Sequence, residues 1–92
     1  MQLEFEWDEN KDDRNFKQHG VRFEEAATVF LDPNAVTLSD TTHSLNEERY
    51  IDIGFSSTGR LLLVVYTERG SRIRLISSRL CTPREARLYD PG

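Results

Sequence analysis

The sequence has one cysteine, two histidines and no long apolar run, and each scarcity removes a class of protein. A single thiol, Cys81, excludes an internal disulfide. It has no Cys or His neighbours at zinc spacing, so it reads as a half-buried small residue. No stretch approaches the roughly 20 apolar residues that span a bilayer. The acidic start MQLEFEWDEN lacks the basic head and apolar core of a signal peptide. The expectation is a cytoplasmic protein with no membrane partner. There is no P-loop, dinucleotide fingerprint, HExxH or GxSxG. Serine-hydrolase chemistry therefore has no nucleophile elbow. Metal hydrolysis has only two histidines and acids at scattered spacings, so neither a metal site nor a cofactor is expected.

What is present fits one small domain over residues 1–92. The chain is 37% hydrophobic and 30% charged, too apolar for disorder and suited to one core with a charged perimeter. The net charge of −4 argues mildly against nucleic acid, but its distribution is uneven. Residues 1–48 carry 12 acidic and 4 basic side chains; residues 49–92 carry 4 acidic and 8 basic. All eight of those cations are arginines: Arg49, Arg60, Arg69, Arg72, Arg74, Arg79, Arg84 and Arg87. Arginine's planar fork suits bidentate contact with phosphate and stacks on bases. Such a half can hold a phosphodiester on an acidic protein, and it can equally be a set of solvated strand ends.

The hydrophobic pattern predicts the order β-α-α-β-β-β-β-α. Residues 3–7 alternate, with Leu3, Phe5 and Trp7 on one side, as in a half-buried strand. Asp8 offers an N-cap for a helix through about Gln18, with Gly20 as the stop. That helix is very polar, with Phe16 its one large apolar residue. Residues 23–31 place Phe23, Ala26, Ala27 and Phe30 at helical spacing, and Asp32-Pro33-Asn34 ends the run. Residues 35–39 read as a strand and 40–48 as a polar loop. Strands follow at 49–56, 60–67 and 72–79, joined by short turns and hence antiparallel. The middle one, RLLLVVYT, is apolar enough to be central and covered on both sides. Thr82-Pro83-Arg84-Glu85 is a capping box with proline at N1, launching a helix through about Tyr89. The expected fold is α+β: an antiparallel sheet of about four strands plus an N-terminal strand, two N-terminal helices and one C-terminal helix, with the helices on one face.

Histidine, glutamate, tyrosine and arginine remain for chemistry. That set is what metal-independent RNA cleavage requires, because the ribose 2′-hydroxyl is the substrate's own nucleophile. The protein supplies a base, an acid and cations for the phosphate. His43, in the polar loop, has a reference pKa suited to proton transfer, or is a surface histidine. His19 beside Gly20 is a candidate, or simply caps its helix. Glu48 is a possible base, or a solvated carboxylate paired with Arg49. Tyr89 is a possible acid or base-stacking residue, or a lid over the core. Arg69, Arg72 and Arg74 are RNA-binding candidates. Trp7, Phe5 and Phe23 lie on apolar sides and read as core.

Several stretches in order resemble the BrnT family of toxins: FEWDENK (5–11), KQHGVRFEEAATVF (17–30), HS with EERYIDIG (43–44 and 47–54), LLLVVYTER (61–69), RIRLISSR (72–79) and TPREARLY (82–89). Arg22 departs from the small hydroxyl residue expected to cap the second helix, and Cys81 stands where a small residue such as alanine is more usual. The resemblance implies a RelE-like fold and ribonuclease activity. It also implies neutralisation by a BrnA-type antitoxin that binds operator DNA. It points to Glu48, Arg49 and Arg79, and beyond them to Lys17, His19, His43 and Tyr89. The roles inferred for them are Glu48 or His43 as base, Arg49 and Arg79 as phosphate clamps, and Tyr89 as acid or stacking residue. The acidic first half also suits a module whose main task is pairing with a basic antitoxin as a repressor.

Overall fold

A computed structural model describes residues 3–40 and 47–89, and the expected loop histidine His43 lies outside them. The elements are β1 (Glu4–Glu6), α1 (Glu9–His19), α2 (Phe23–Ala27), a 3₁₀ turn (Thr28–Leu31), β2 (Val36–Asp40), β3 (Arg49–Phe55), β4 (Leu61–Arg69), β5 (Arg72–Leu80) and α3 (Pro83–Tyr89). The strands form one sheet in the order β1-β5-β4-β3-β2. Central β4 is the apolar run.

The sheet is mixed, not wholly antiparallel. β1 pairs parallel to β5, Phe5 against Ile73, while the other three pairings are antiparallel. A parallel neighbour needs a long connection, and the whole span from α1 to β4 separates β1 from β5. Gly70 (φ 60°) permits the tight β4–β5 turn.

Side-chain alternation divides the sheet into two faces. Gly54, Leu62, Val64, Tyr66, Ile73 and Leu75 point inward, under α1 and α2. They meet Val21, Phe23, Ala26 and Val29 in the main core. Edge-to-face rings extend it, Phe5 on Phe30 at 5.1 Å, Phe30 on Tyr66 at 4.9 Å and Trp7 on Phe23 at 6.2 Å. These aromatics are core, as their spacing suggests. The opposite, outer face carries Ile53 and Leu63, both buried but outside that cluster. Helix α3 covers them: Tyr89 packs on Phe55, and Glu85 reaches Arg79. The helices therefore lie on both faces, because β4 is apolar on both sides.

Polar anchors hold α1. Its buried residues are Asp12 and Asn15, whereas Phe16 is exposed under the Arg22 guanidinium, 4.2 Å from the ring centroid. The Asn15 amide donates to the carbonyls of Val21 and Ser78 (2.8 and 2.9 Å) and its carbonyl accepts from the Ser78 N–H (3.1 Å). Asp12 accepts from the Phe23 N–H at 2.8 Å. It thus satisfies an orphan donor of α2 that residue 22, an arginine with no capping bond, leaves open. The second helix gives way to a 3₁₀ turn at Thr28, whose hydroxyl donates to the Glu25 carbonyl at 2.6 Å.

Candidate nucleic-acid interface

The strand register gathers arginines on the outer face. Arg49 lies opposite Thr67, and Thr67 opposite Arg74, so Arg49 and Arg74 flank one threonine in a single cross-strand row. Arg69 and Arg72 form the next row, at the β4–β5 turn. Arg79 faces Leu63, four residues from Thr67 on the side away from Arg69, so it stands roughly 13 Å from the Arg49–Arg74 row along the strand direction. Five of the expected phosphate-contacting residues thus share one surface. Arg69 and Arg72 form its open end, whereas Thr67, between Arg49 and Arg74, is buried.

Carboxylates from the acidic half interleave with these cations. Arg72 lies 3.3 Å from Glu4 and 3.8 Å from Glu6, Arg74 is 2.9 Å from Glu6, and Arg69 is 3.6 Å from Glu47. Asp40 stands opposite Arg49 in the β2–β3 register. The arginine half and the acidic half are therefore not separate fields: β1 zips glutamates against β5 arginines. The Arg69 and Arg72 side chains are more than half open to solvent, where an ion pair is worth about 0–1 kcal/mol and exchanges readily for phosphate.

Arg79 is held more firmly. Its Nη1 and Nη2 donate to the two oxygens of Glu85 at 2.7 and 2.8 Å. The Arg79 hydrogen bond, followed by the Thr82 N–H, holds the Glu85 carboxyl down to about 2. Thr82 and Glu85 also close the expected capping box, at 3.0 and 3.2 Å.

The remaining candidates fall elsewhere. Glu48 is exposed, and its carboxylate accepts from the Tyr50 hydroxyl at 2.7 Å, the Tyr50 ring lying inward against Tyr66. Glu48 therefore turns away from Arg49 although the two are adjacent in sequence. Lys17 and His19 occupy the last turn of α1, in the inner layer, with Gly20 (φ 71°) ending the helix behind them. The Tyr89 hydroxyl donates to Asp32 at 2.8 Å and its ring packs on Phe55, so it ties α3 down. Cys81 is half-buried, and burial pushes its thiol up to about 11.

Two polar clusters escaped the sequence reading. Glu25 accepts from Arg60 Nε (3.0 Å), Ser56 (2.7 Å) and Thr58 (2.6 Å), which locks the β3–β4 hairpin to α2 and holds its carboxyl down to about 2. Asp52, buried on the inner face, accepts from Thr37 at 2.8 Å and Tyr66 at 2.9 Å; desolvation raises its pKa. The Ser56–Arg60 turn and the alternation of RYIDIGF were legible, but not the partners across the fold. Among the described residues, no three His, Cys, Asp or Glu side chains gather as metal ligands, and no helix is long and apolar enough to cross a membrane.

Comparison with known proteins bears on the family and the fold. The family model described as "Ribonuclease toxin, BrnT, of type II toxin-antitoxin system" matches residues 7–85. The fold is similar to the crystal structure of the Brucella abortus ribonuclease toxin BrnT. The TM-score is 0.69 at 21% identity, over 88% of this chain and 99% of that one. No curated protein sequence matches the chain.

Proposed function

Since the chain belongs to the BrnT family of ribonuclease toxins of type II toxin–antitoxin systems, we propose that it cuts RNA on the outer face of its sheet. The substrate's own 2′-hydroxyl attacks, and no metal ion takes part. The observation that supports this is the gathering of Arg49, Arg69, Arg72, Arg74 and Arg79 on one side of the sheet. Arg79 and Arg49 clamp phosphate as charge builds in the transition state. The other three hold the flanking backbone in exchange for their surface carboxylates. His43 takes the 2′-hydroxyl proton, because Glu48, drawn to the side opposite Arg49 by the Tyr50 hydroxyl, stands away from the clamp. The 2′-oxygen–phosphorus bond forms as the P–O5′ bond breaks, leaving a 2′,3′-cyclic phosphate, and the departing 5′-oxygen takes its proton from water. Tyr89 anchors α3 instead of donating it, and Lys17 and His19 stand outside the site. The chain acts in the cytoplasm, stops translation and growth by cutting RNA, and is neutralised by a BrnA-type antitoxin, which carries the complex to operator DNA.

The test is cleavage of total RNA by the purified chain in EDTA, beside induction of the chain alone in growing cells. Cleavage in EDTA with growth arrest is the expected result. Dependence on added metal would sink the mechanism. A second reading draws on the ion pairs. Glu4, Glu6, Glu47 and Glu85 already sit on Arg72, Arg74, Arg69 and Arg79. They weaken the field that attracts RNA, as befits a catalytically weak module that serves with its antitoxin as a repressor. Unimpaired growth on induction of folded protein would favour it.

A further inference from the structure

Arg79 carries five N–H hydrogens, and its partners use three. Nη1 donates to Glu85 Oε1 at 2.7 Å and to the Leu80 carbonyl at 3.2 Å, and Nη2 donates to Glu85 Oε2 at 2.8 Å. This is an end-on pairing. The Nε–H and the outer Nη2 hydrogen remain, side by side along one edge of the guanidinium plane. No acceptor among the described residues meets Nε, and that atom is not sealed from solvent. The side chain as a whole is 38% exposed. Two parallel N–H groups on one edge match two oxygens of a phosphate.

Glu85 cannot swing away cheaply. Its Oε1 also accepts from the Thr82 backbone N–H at 3.0 Å, a bond that does not depend on the Thr82 side chain. Helix α3 is in turn pinned by Tyr89 on Asp32 and Phe55. The guanidinium is thus gripped at its end by a carboxylate that the helix holds in place.

We propose that Glu85 is a positioning residue for RNA cleavage: by occupying the end of the Arg79 guanidinium, it presents the Nε–Nη2 edge as the seat for one phosphodiester beside α3. The inference rests on the ribonuclease reading above. Because Glu85 largely neutralises Arg79 in the ground state, the arginine contributes oriented hydrogen bonds more than long-range attraction. Loss of Glu85 therefore divides the kinetics. Turnover falls as the fork loses its orientation. Substrate binding does not weaken, because a carboxylate beside the bound phosphate has gone.

The experiment measures kcat and KM on a short RNA for Glu85→Gln, Thr82→Ala, Arg79→Lys and Arg79→Ala, with a thermal melt of each. Glu85→Gln keeps the size and the acceptor for Thr82, and its expected effect is a fall in kcat of about tenfold with KM unchanged or lower. Thr82→Ala loosens the same helix start and keeps the Arg79 pair; its melt drops while kcat and KM stay at the parent's values. Arg79→Lys retains charge without the paired edge and loses turnover as Arg79→Ala does. Parent-like kcat in Glu85→Gln, equal losses in Glu85→Gln and Thr82→Ala, or an active Arg79→Lys each overturn the positioning role while Arg79→Ala is inactive. Full activity in Arg79→Ala instead removes the assignment of the site, and this inference with it.

Discussion

Two arginines near the same end of the sheet, on opposite faces, each hold a glutamate, and they hold it by different sides of the guanidinium. Arg60 spends its Nε and Nη2 on Glu25, and Nη2 also reaches the Gly20 carbonyl at 3.0 Å. Ser56 and Thr58 complete the Glu25 shell, so this clamp is a closed fastening between hairpin, α2 and the end of α1. Arg79 gives Glu85 its end and keeps the Nε–Nη2 edge open. Both glutamates are held down to about 2, so depth of titration does not distinguish a fastener from a site. Each arginine keeps two N–H hydrogens unspent, and their arrangement distinguishes the clamps: those of Arg60 diverge from the single atom Nη1, whereas those of Arg79 lie parallel along the Nε–Nη2 edge.

Truncating each arginine in turn breaks the comparison most sharply. Arg79→Ala is expected to cut RNA cleavage by roughly 10²–10³, the usual cost of losing one preorganised donor to a transition-state oxyanion, with a smaller loss of stability. Arg60→Ala leaves Glu25 without its cation and is expected to cost about 2–3 kcal/mol in urea unfolding, below the full penalty of a sealed pair because Arg60 is 36% exposed. Its cleavage rate per folded molecule stays at the parent's value. If Arg60→Ala abolished cleavage while folded, the division between fastener and site would be lost.

Acid sharpens the likeness between the two clamps. Each carboxyl has an ordinary pKa of 4.5 and sits at about 2 in the fold. A depressed folded pKa stabilises the fold above about pH 4.5, and that gain is lost as pH falls from there toward 2. The loss is about 1–2 kcal/mol for each clamp after solvent screening, since both arginines are more than a third exposed. Asp52, raised by burial, works in the opposite sense and recovers a little stability as it protonates. Melting temperatures across this range should fall less steeply in Arg60→Ala than in the parent. An equally steep fall would show that Glu25 gains nothing from its partner.

The sequence disclosed what depends on neighbours in the chain and hid what depends on the fold. The Thr82–Glu85 box, the alternation of RYIDIGF and the apolar run at 61–66 announce α3, β3 and β4 because each is a short-range pattern. Glu85 was visible as a helix cap, but its second partner, Arg79, sits on a strand, and only packing of α3 on the outer face brings them together. The parallel seat of β1 beside β5 is equally silent, since it joins residues 68 positions apart, as Glu6 and Arg74 show. In a very polar helix nothing singles out Asp12 and Asn15, yet they, and not the exposed Phe16, are the anchors of α1. Glu48 precedes β3, beyond the reach of strand alternation, and it is the bond from the Tyr50 hydroxyl that turns it away from Arg49.

The smallest effect concerns Tyr89, which the sequence left between proton donor and lid. Tyr89→Phe removes the 2.8 Å bond to Asp32 and keeps the ring on Phe55. Asp32 remains satisfied by the Phe55 and Asn34 N–H groups at 2.9 Å each, so no buried acceptor is orphaned. The expected cost is therefore about 0.5–1.5 kcal/mol, the net worth of one hydrogen bond. A helix that still packs on Phe55 still carries Glu85, so the cleavage rate holds near the parent's. A proton donor gives the opposite result, because its loss costs 10²–10⁴ in rate with little change in the melt. The ratio of the two effects in this one variant therefore decides whether Tyr89 belongs with the fastening of α3 or with the chemistry beneath it.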